Sequence, residues 1–426
     1  MHIPDRLRIV VTGTGIVSPL GCGVGPTWRR LLASESGVRR LAADLAPDVR
    51  CQVAGLVPDR DEPSGFDEDA HVSTKDLKKM DRFIAVALGA SAHAVAQARW
   101  FPSSEIERAR TATVIASGIG GFPAIARAVR TTDERGAQRL SPFTVPSFLS
   151  NMAAGWVSIR HGFRGPLGAP ATACAASVQA IGDAARLIRA GEADIAVCGG
   201  TESAIDRVSL GSFAAAKALS TGFNDTPQAA SRPFDSHRDG FVMGEGAGVL
   251  VIESLEHALN RGAAPLAELV GYGTAADAYH LTAGPDSGEG AARAMHAALS
   301  QAGVPARAIR HLNAHATSTP VGDRGELAAI RTVFGPAPEL AISATKSATG
   351  HMLGAAGGVE AIFTIMALRD QIVPPTLNLV EPDPLADGLD IVGPVSRQWE
   401  FDYAISNGFG FGGVNASVIF KRWPRS

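Results

Sequence analysis

The sequence predicts a layered α/β fold, and three observations carry that prediction. Short β-branched runs alternate with alanine-rich helical stretches: RIVVTG (8–13), ATVIAS (112–117), DIAVCGG (194–200), GVLVIES (248–254), HLNAHA (311–316) and LAISAT (340–345). These runs are apolar on both faces, as strands are when helices cover both sides of a sheet. Residues 175–190 and 354–368 carry small or apolar side chains on nearly every face, which reads as helices buried inside the molecule.

Each buried helix starts directly after a segment rich in reactive side chains, so each is a rigid mount for chemistry. The Pro/Asp-rich stretches at 58–69 and 380–390 read as surface loops, and RGAAP (261–265) as a hinge between halves spanning 1–262 and 263–426. The halves share a rhythm of strand leading into buried helix, which points to structural pseudo-duplication.

The bulk numbers exclude several classes. With 46% hydrophobic residues, 19% charged residues and 47 glycines among 426, the chain has material for a core of closely approached small-residue helices and is not disordered. A formal net charge of −3 offers no basic excess for nucleic acid. Four cysteines (Cys22, Cys51, Cys174, Cys198) do not make a disulfide scaffold, and neither a CxxC pair nor a His cluster offers metal-ligand spacing, so no metal is expected. The first apolar run begins at Leu7, and no stretch of about 20 uncharged apolar residues occurs. A cytoplasmic protein without membrane insertion is the expectation.

Four segments hold candidates for chemistry. Cys174, in GAPATACAAS, stands where a helix dipole favours thiolate, although a small buried cysteine is the commoner role of such a residue. Cys22, Cys51 and Cys198 are read as structural. His315, in HLNAHATSTPVGD, sits at a strand end, where α/β proteins present reactive groups; a satisfied loop histidine is the alternative. In ATKSATGHMLGAAGGVE (344–360), Lys346 and His351 occupy a strand-to-helix junction, with Gly350 and Gly354 permitting close backbone approach. So apolar a setting predicts that Lys346 pairs with Glu326 or Glu360, a role compatible with orienting a histidine. SNGFGFGGVNASVIF (406–420) reads as a Gly/Phe loop, containing Phe409 and Phe411, before a final strand; the Phe411 and Cys174 amides would form an oxyanion hole.

Together these segments resemble the β-ketoacyl-acyl carrier protein synthases of the second, elongating type. The resemblance runs through VVTGTGIVSPLG (10–21), KKMDRF (78–83), SGIGG (117–121), SPFTVPS (141–147), TACAAS (172–177), AASRPFDSHRDGFVMGEGAG (229–248), NAHATSTPVGD (313–323), TKSATGHMLGAAG (345–357) and GFGFGGVN (408–415). It implies the thiolase fold, a five-layered αβαβα structure from two similar halves, usually as a homodimer. By matched position, Cys174 is the acyl-accepting nucleophile and His315 and His351 the decarboxylating pair. Lys346 organises the site with Glu360, supported by Glu326 and Phe409, and Phe411 is the gate. Ile119 matches the position that gates the acyl tunnel, and Lys75, Lys78, Lys79 and Lys217 the region that docks an acidic acyl carrier protein.

The implied reaction is decarboxylative condensation of an acyl-cysteine with malonyl-carrier, extending the chain by two carbons without metal or organic cofactor. Alternatives are a specialised ketosynthase for a modified lipid or polyketide, and a noncatalytic subunit of the chain-length-factor kind, which the presence of Cys174 opposes. Two positions depart from the pattern: Ala316 stands where glycine is usual, and Val414 where threonine or a small residue is common.

Overall fold

The structure, a computed structural model, describes residues 4–336 and 338–424. Its centre is a twelve-stranded sheet made of β1 (Ile9–Ser18), β2 (Gly21–Cys22), β3 (Thr111–Ala116), β4 (Leu167–Gly168), β5 (Ile195–Glu202), β6 (Gly246–Ser254), β7 (Ala267–Ala276), β8 (Ile309–Asn313), β9 (Ala341–Ser343), β10 (Asp390–Ile391), β11 (Tyr403–Gly410) and β12 (Val414–Arg422). The order is β10-β9-β8-β11-β12-β7-β1-β6-β5-β3-β4, with β2 paired to β1.

That order is two copies of one pattern. From β1 outward, β6 and then β5 are antiparallel neighbours, while β3 and β4 continue parallel. From β7 outward, β12 and then β11 are antiparallel, while β8, β9 and β10 continue parallel. The two copies join where β1 pairs with β7 over only three residues, Ile9–Val11.

Helices fill three layers around these strands. α1 (Arg82–Ala98) and α2 (Met152–His161) cover the outer side of the first strand set, and α4 (Glu289–Ala302) and α5 (Pro320–Phe334) lie over the second. Between the sets lie α3 (Ala176–Arg189) and α6 (Ala356–Asp370), each touching strands of both. The result is the five-layered αβαβα arrangement expected of the thiolase fold. Every residue of α6 from Ala356 to Leu368 is buried, Glu360 and Thr364 included, as small and apolar residues on nearly every face predict. α3 is less enclosed: Asp183 and Arg186 form an ion pair on a rim that reaches water.

All six predicted strand runs are present with shifted ends, and two departures bear on the site. The run at 311–316 ends at Asn313, because the Ala314 amide donates to Ser343 and the next two amides turn away to a carboxylate. The supposed Gly/Phe loop at 406–413 is mostly strand: Phe409 and Gly410 pair with Asn415 and Val414 in a hairpin, leaving Phe411–Gly413 as the turn. α1 is a third deeply buried helix, legible in RFIAVALGASAHAVAQA but not singled out from the sequence.

Candidate active site

The two half-patterns place reactive groups at one junction. The chain enters α3 through a 3-10 turn, Ala173–Ala175, in which Ala173 has φ 49°. It enters α6 through a matching turn, Leu353–Ala355, in which Leu353 has φ 45°. Non-glycine residues persist in this left-handed region only when their surroundings hold them there, and such residues gather at functional sites. Ala173 and Leu353 occupy corresponding places, Cys174 corresponds to Gly354, and both Cys174 and Leu353 line one cavity of about 500 Å³. His315, His351, Ile119, Phe409, Phe411 and Lys217 line it too.

The histidines are held through their backbones. His315 and Ala316 donate their amides to the two oxygens of Glu326, at 2.9 and 2.6 Å. The His351 amide donates to Val242 at 2.7 Å, and its carbonyl accepts from Gly244 at 2.8 Å. The imidazoles stand edge to face, 5.3 Å between centroids, with Phe409 packed on His315 and Phe241 on His351. Burial drives both imidazoles well below the usual histidine range, reinforced by the charge of Lys346, so both are neutral at pH 7. Each keeps Nδ1 buried without a hydrogen-bond partner.

Lys346 is fully buried and donates to Glu360 at 2.6 Å; of the two partners anticipated, Glu360 takes the ion pair and Glu326 takes the His315 turn. Burial pushes the Glu360 carboxyl up to about 7 against the pull of Lys346. Neither Lys346 nor Glu360 lines the cavity. The charge of Lys346 nevertheless reaches both histidines.

Around Cys174 the backbone amides of Phe411 and of Cys174 itself act to lower the thiol's pKa. Gly410 lets the two backbones lie this close: a Cβ there would lie 2.7 Å from the Thr172 carbonyl and 3.1 Å from the Cys174 nitrogen. The resting Cys174 thiol differs from the expected thiolate. Burial pushes the Cys174 thiol up to about 12, outweighing Lys346 and both amides, because the helix-terminal field cannot repay loss of water around a sulfur anion here.

Sequence reasoning missed Glu202 at the end of β5. It is buried, accepts from Ser117 Oγ at 2.8 Å and from the amides of Gly118, Ile119 and Gly354 at 2.7, 3.3 and 3.0 Å. It thus ties the Ile119 loop to the turn before α6. Asn407 was also missed; it donates to Glu326 at 3.0 Å and accepts from Ser417. A lone carboxylate closing the apolar run DIAVCGGTE was the available signal for Glu202.

The carrier-docking lysines divide. Lys217 lies at the cavity, Lys75 and Lys78 are exposed, and Lys79 is engaged by Asp76 at 2.7 Å and lies over the Phe143 ring. Ala316 is 1% exposed, and its methyl belongs to the apolar core under α5, outside the cavity lining. Val414 packs on the main core beside the hairpin turn. Cys51 and Cys198 are buried, as structural cysteines are.

Comparison with known proteins agrees with this geometry. The family described as beta-ketoacyl synthase, N-terminal domain, matches residues 6–258, and the beta-ketoacyl synthase, C-terminal domain, matches residues 266–380. The 3-oxoacyl-[acyl-carrier-protein] synthase 2 of Rhizobium meliloti is 50% identical over 98% of this chain and 99% of its own. The mitochondrial 3-oxoacyl-[acyl-carrier-protein] synthase of Arabidopsis thaliana is 47% identical over 97% and 93%. Among solved structures, a beta-ketoacyl synthase from Burkholderia phymatum superposes with a TM-score of 0.89 at 35% identity, covering 98% of this chain and all of that one. A type II PKS ketosynthase, solved with its acyl-carrier protein and bound to the hexaketide, gives 0.88 at 31%, covering 98% and 99%. With both family halves matched and relatives this similar along nearly its whole length, the chain belongs to the β-ketoacyl synthase family.

Proposed function

We propose that the protein is a 3-oxoacyl-[acyl-carrier-protein] synthase that lengthens acyl chains by two carbons in fatty acid biosynthesis. The observation that carries this reading is one cavity lined by a cysteine at the entry to a buried helix and by two neutral imidazoles.

The chemistry follows from those groups. Attack of the Cys174 sulfur on the carrier thioester forms the acyl-cysteine, and the Cys174 and Phe411 amides receive the developing oxyanion. The thiol proton passes to the departing carrier thiolate. Malonyl-carrier then binds, and loss of carbon dioxide leaves an enolate whose oxygen accepts from the His315 and His351 N–H groups. Neutral imidazoles suit this task, since each still carries one proton to donate. The enolate carbon attacks the acyl-cysteine, the 3-oxoacyl-carrier forms, and the released Cys174 thiolate regains a proton.

Identity of 44–50% to synthases of this name, against 31% to a type II PKS ketosynthase and 32% to the ishigamide ketosynthase/chain length factor, favours fatty acid elongation over a specialised product. An acyl carrier protein is the partner, docked at the mouth marked by Lys217 with the exposed Lys75 and Lys78 nearby in role. A homodimer in the cytoplasm suits the exposed apolar edge described below and four free cysteines. The halves divide at residues 262–263, between the two matched family segments.

The test is incubation with acyl-carrier primers from short to long and malonyl-carrier, followed by mass spectrometry of enzyme and products. A thioester on Cys174 and a product longer by two carbons are expected. Folded protein that forms neither with any primer would overturn the reading in favour of a noncatalytic subunit.

A further inference from the structure

A second thiol–imidazole cluster lies away from the catalytic cavity, on the far side of α1. Cys22 at the end of β2, His71 at the end of the short helix Glu68–His71, and His93 on α1 bring a sulfur and two ring nitrogens within 4.8 Å of one another. These residues are far apart in the chain, which is why no spacing motif announced them. All three are partly buried, so the cluster is sheltered yet reachable.

The surroundings are built to hold this convergence. The His71 ring lies edge to face with His93, 5.3 Å between centroids, and is backed by the parallel ring of Phe66 at 5.5 Å. Gly89, one turn before His93, gives them room: a Cβ there would lie 2.4 Å from the Phe66 ring and 3.4 Å from His71. Glycine inside a helix costs about 1 kcal/mol relative to alanine, so its place here marks a packing need. The Cys22 amide is tied to the Ser64 carbonyl, and the His71 carbonyl accepts from Arg160. Nδ1 of His93 is buried without a hydrogen-bond partner. Burial keeps both imidazoles below the usual histidine range, hence neutral with a free lone pair each; Arg160 and Asp67 are the charges nearest His71.

We propose that Cys22, His71 and His93 form a binding site for a single borderline-soft divalent cation of the zinc class, with a fourth, solvent-side position for water. Thiolate and neutral imidazole are the donors such an ion prefers, and tetrahedral bond lengths of about 2.0–2.3 Å place ligand atoms about 3.3–3.7 Å apart. Small side-chain rotations close the observed spacing to that value. Binding releases the Cys22 proton and clips β2, the Glu68–His71 helix and α1 together, steadying the segment that carries Lys75, Lys78 and Lys79.

Cobalt(II) titration of the full chain tests this, since a cobalt–thiolate bond gives a near-ultraviolet charge-transfer band. One cobalt per chain is expected, displaced by zinc, with the band lost in Cys22→Ser and retained in Cys174→Ala. Loss of a direct ligand in His71→Gln or His93→Gln should weaken binding beyond the roughly 10–100-fold that loss of an outer partner costs. Zinc should raise the thermal midpoint of the wild type and not of Cys22→Ser, while condensing activity measured without added metal stays the same in both. Absence of stoichiometric cobalt, or a band that survives Cys22→Ser or disappears in Cys174→Ala, would overturn the site without touching the synthase reading.

Discussion

At the scale of single residues, burial decides the chemistry more than charge does. The Cys174 thiol, raised to about 12, loses its proton only as pH rises toward that value, so its thiolate fraction grows tenfold per pH unit through the physiological range. Alkylation of Cys174 by iodoacetamide in the resting enzyme should therefore accelerate about tenfold per unit from pH 7 to 9 with no plateau. A rate already flat at pH 7 would mean that Lys346 and the two amides have outweighed desolvation. The histidines have the opposite sign. Their depressed values keep them neutral as pH falls through 6.5, so decarboxylation of malonyl-carrier should fall off only well below 6.5, whereas two unperturbed imidazoles would both be neutral in only about a quarter of molecules there. Ile119 lines the cavity with Cys174, and its amide is anchored by Glu202, leaving the side chain free to move. Ile119→Phe should shorten the longest primer accepted while preserving turnover of short ones; an unchanged chain-length profile would remove its gating role. These residues were legible because each sits in a short local motif. Glu202 and Asn407 were not, because their partners come from distant segments and a lone polar residue in an apolar run carries no sign of what it will meet.

At the scale of elements, the buried helices show how small residues set geometry. Gly358 on α6 faces Gly248 on β6 so closely that a Cβ at 358 would lie 2.4 Å from the Gly248 carbonyl oxygen. The Gly358 amide also donates to Ser177 Oγ at 2.8 Å, fastening α6 to α3. Gly358→Ala should thus overpack the central layer and destabilise by about 1–3 kcal/mol, read as a lower denaturant midpoint at unchanged slope. Stability equal to wild type would show that α6 can shift without cost. The helices and strands were legible because periodicity reports burial directly. The end of β8 and the extent of β11 were not, since side-chain pattern continues past the point where backbone partners change: Glu326 takes the amides after Asn313, and hairpin pairing draws Phe409 into the strand.

At the scale of the whole molecule, duplication is what creates the site. The first half supplies Cys174 on its strained turn; the second supplies His315 and His351, holds Gly354 in the place equivalent to Cys174, and lines the cavity wall with Leu353, the counterpart of Ala173. One edge of this assembly is left unfinished. β4 is a two-residue outer strand with Leu167 about half exposed, and Ile159 on the neighbouring α2 is 71% exposed. Val129, Phe143, Val145 and Leu149, from intervening segments, are exposed as well. An open strand edge beside this much uncovered apolar surface invites a second copy, because edge backbone groups and exposed isoleucine or leucine both gain by leaving water. Light scattering should accordingly give twice the chain mass of 44.1 kDa. Leu167→Glu combined with Ile159→Glu should yield folded monomers, since like charges buried in a two-fold contact repel whichever of the two positions faces which. A wild-type monomer, or a double variant that remains dimeric, would move the interface elsewhere and leave this edge to another partner.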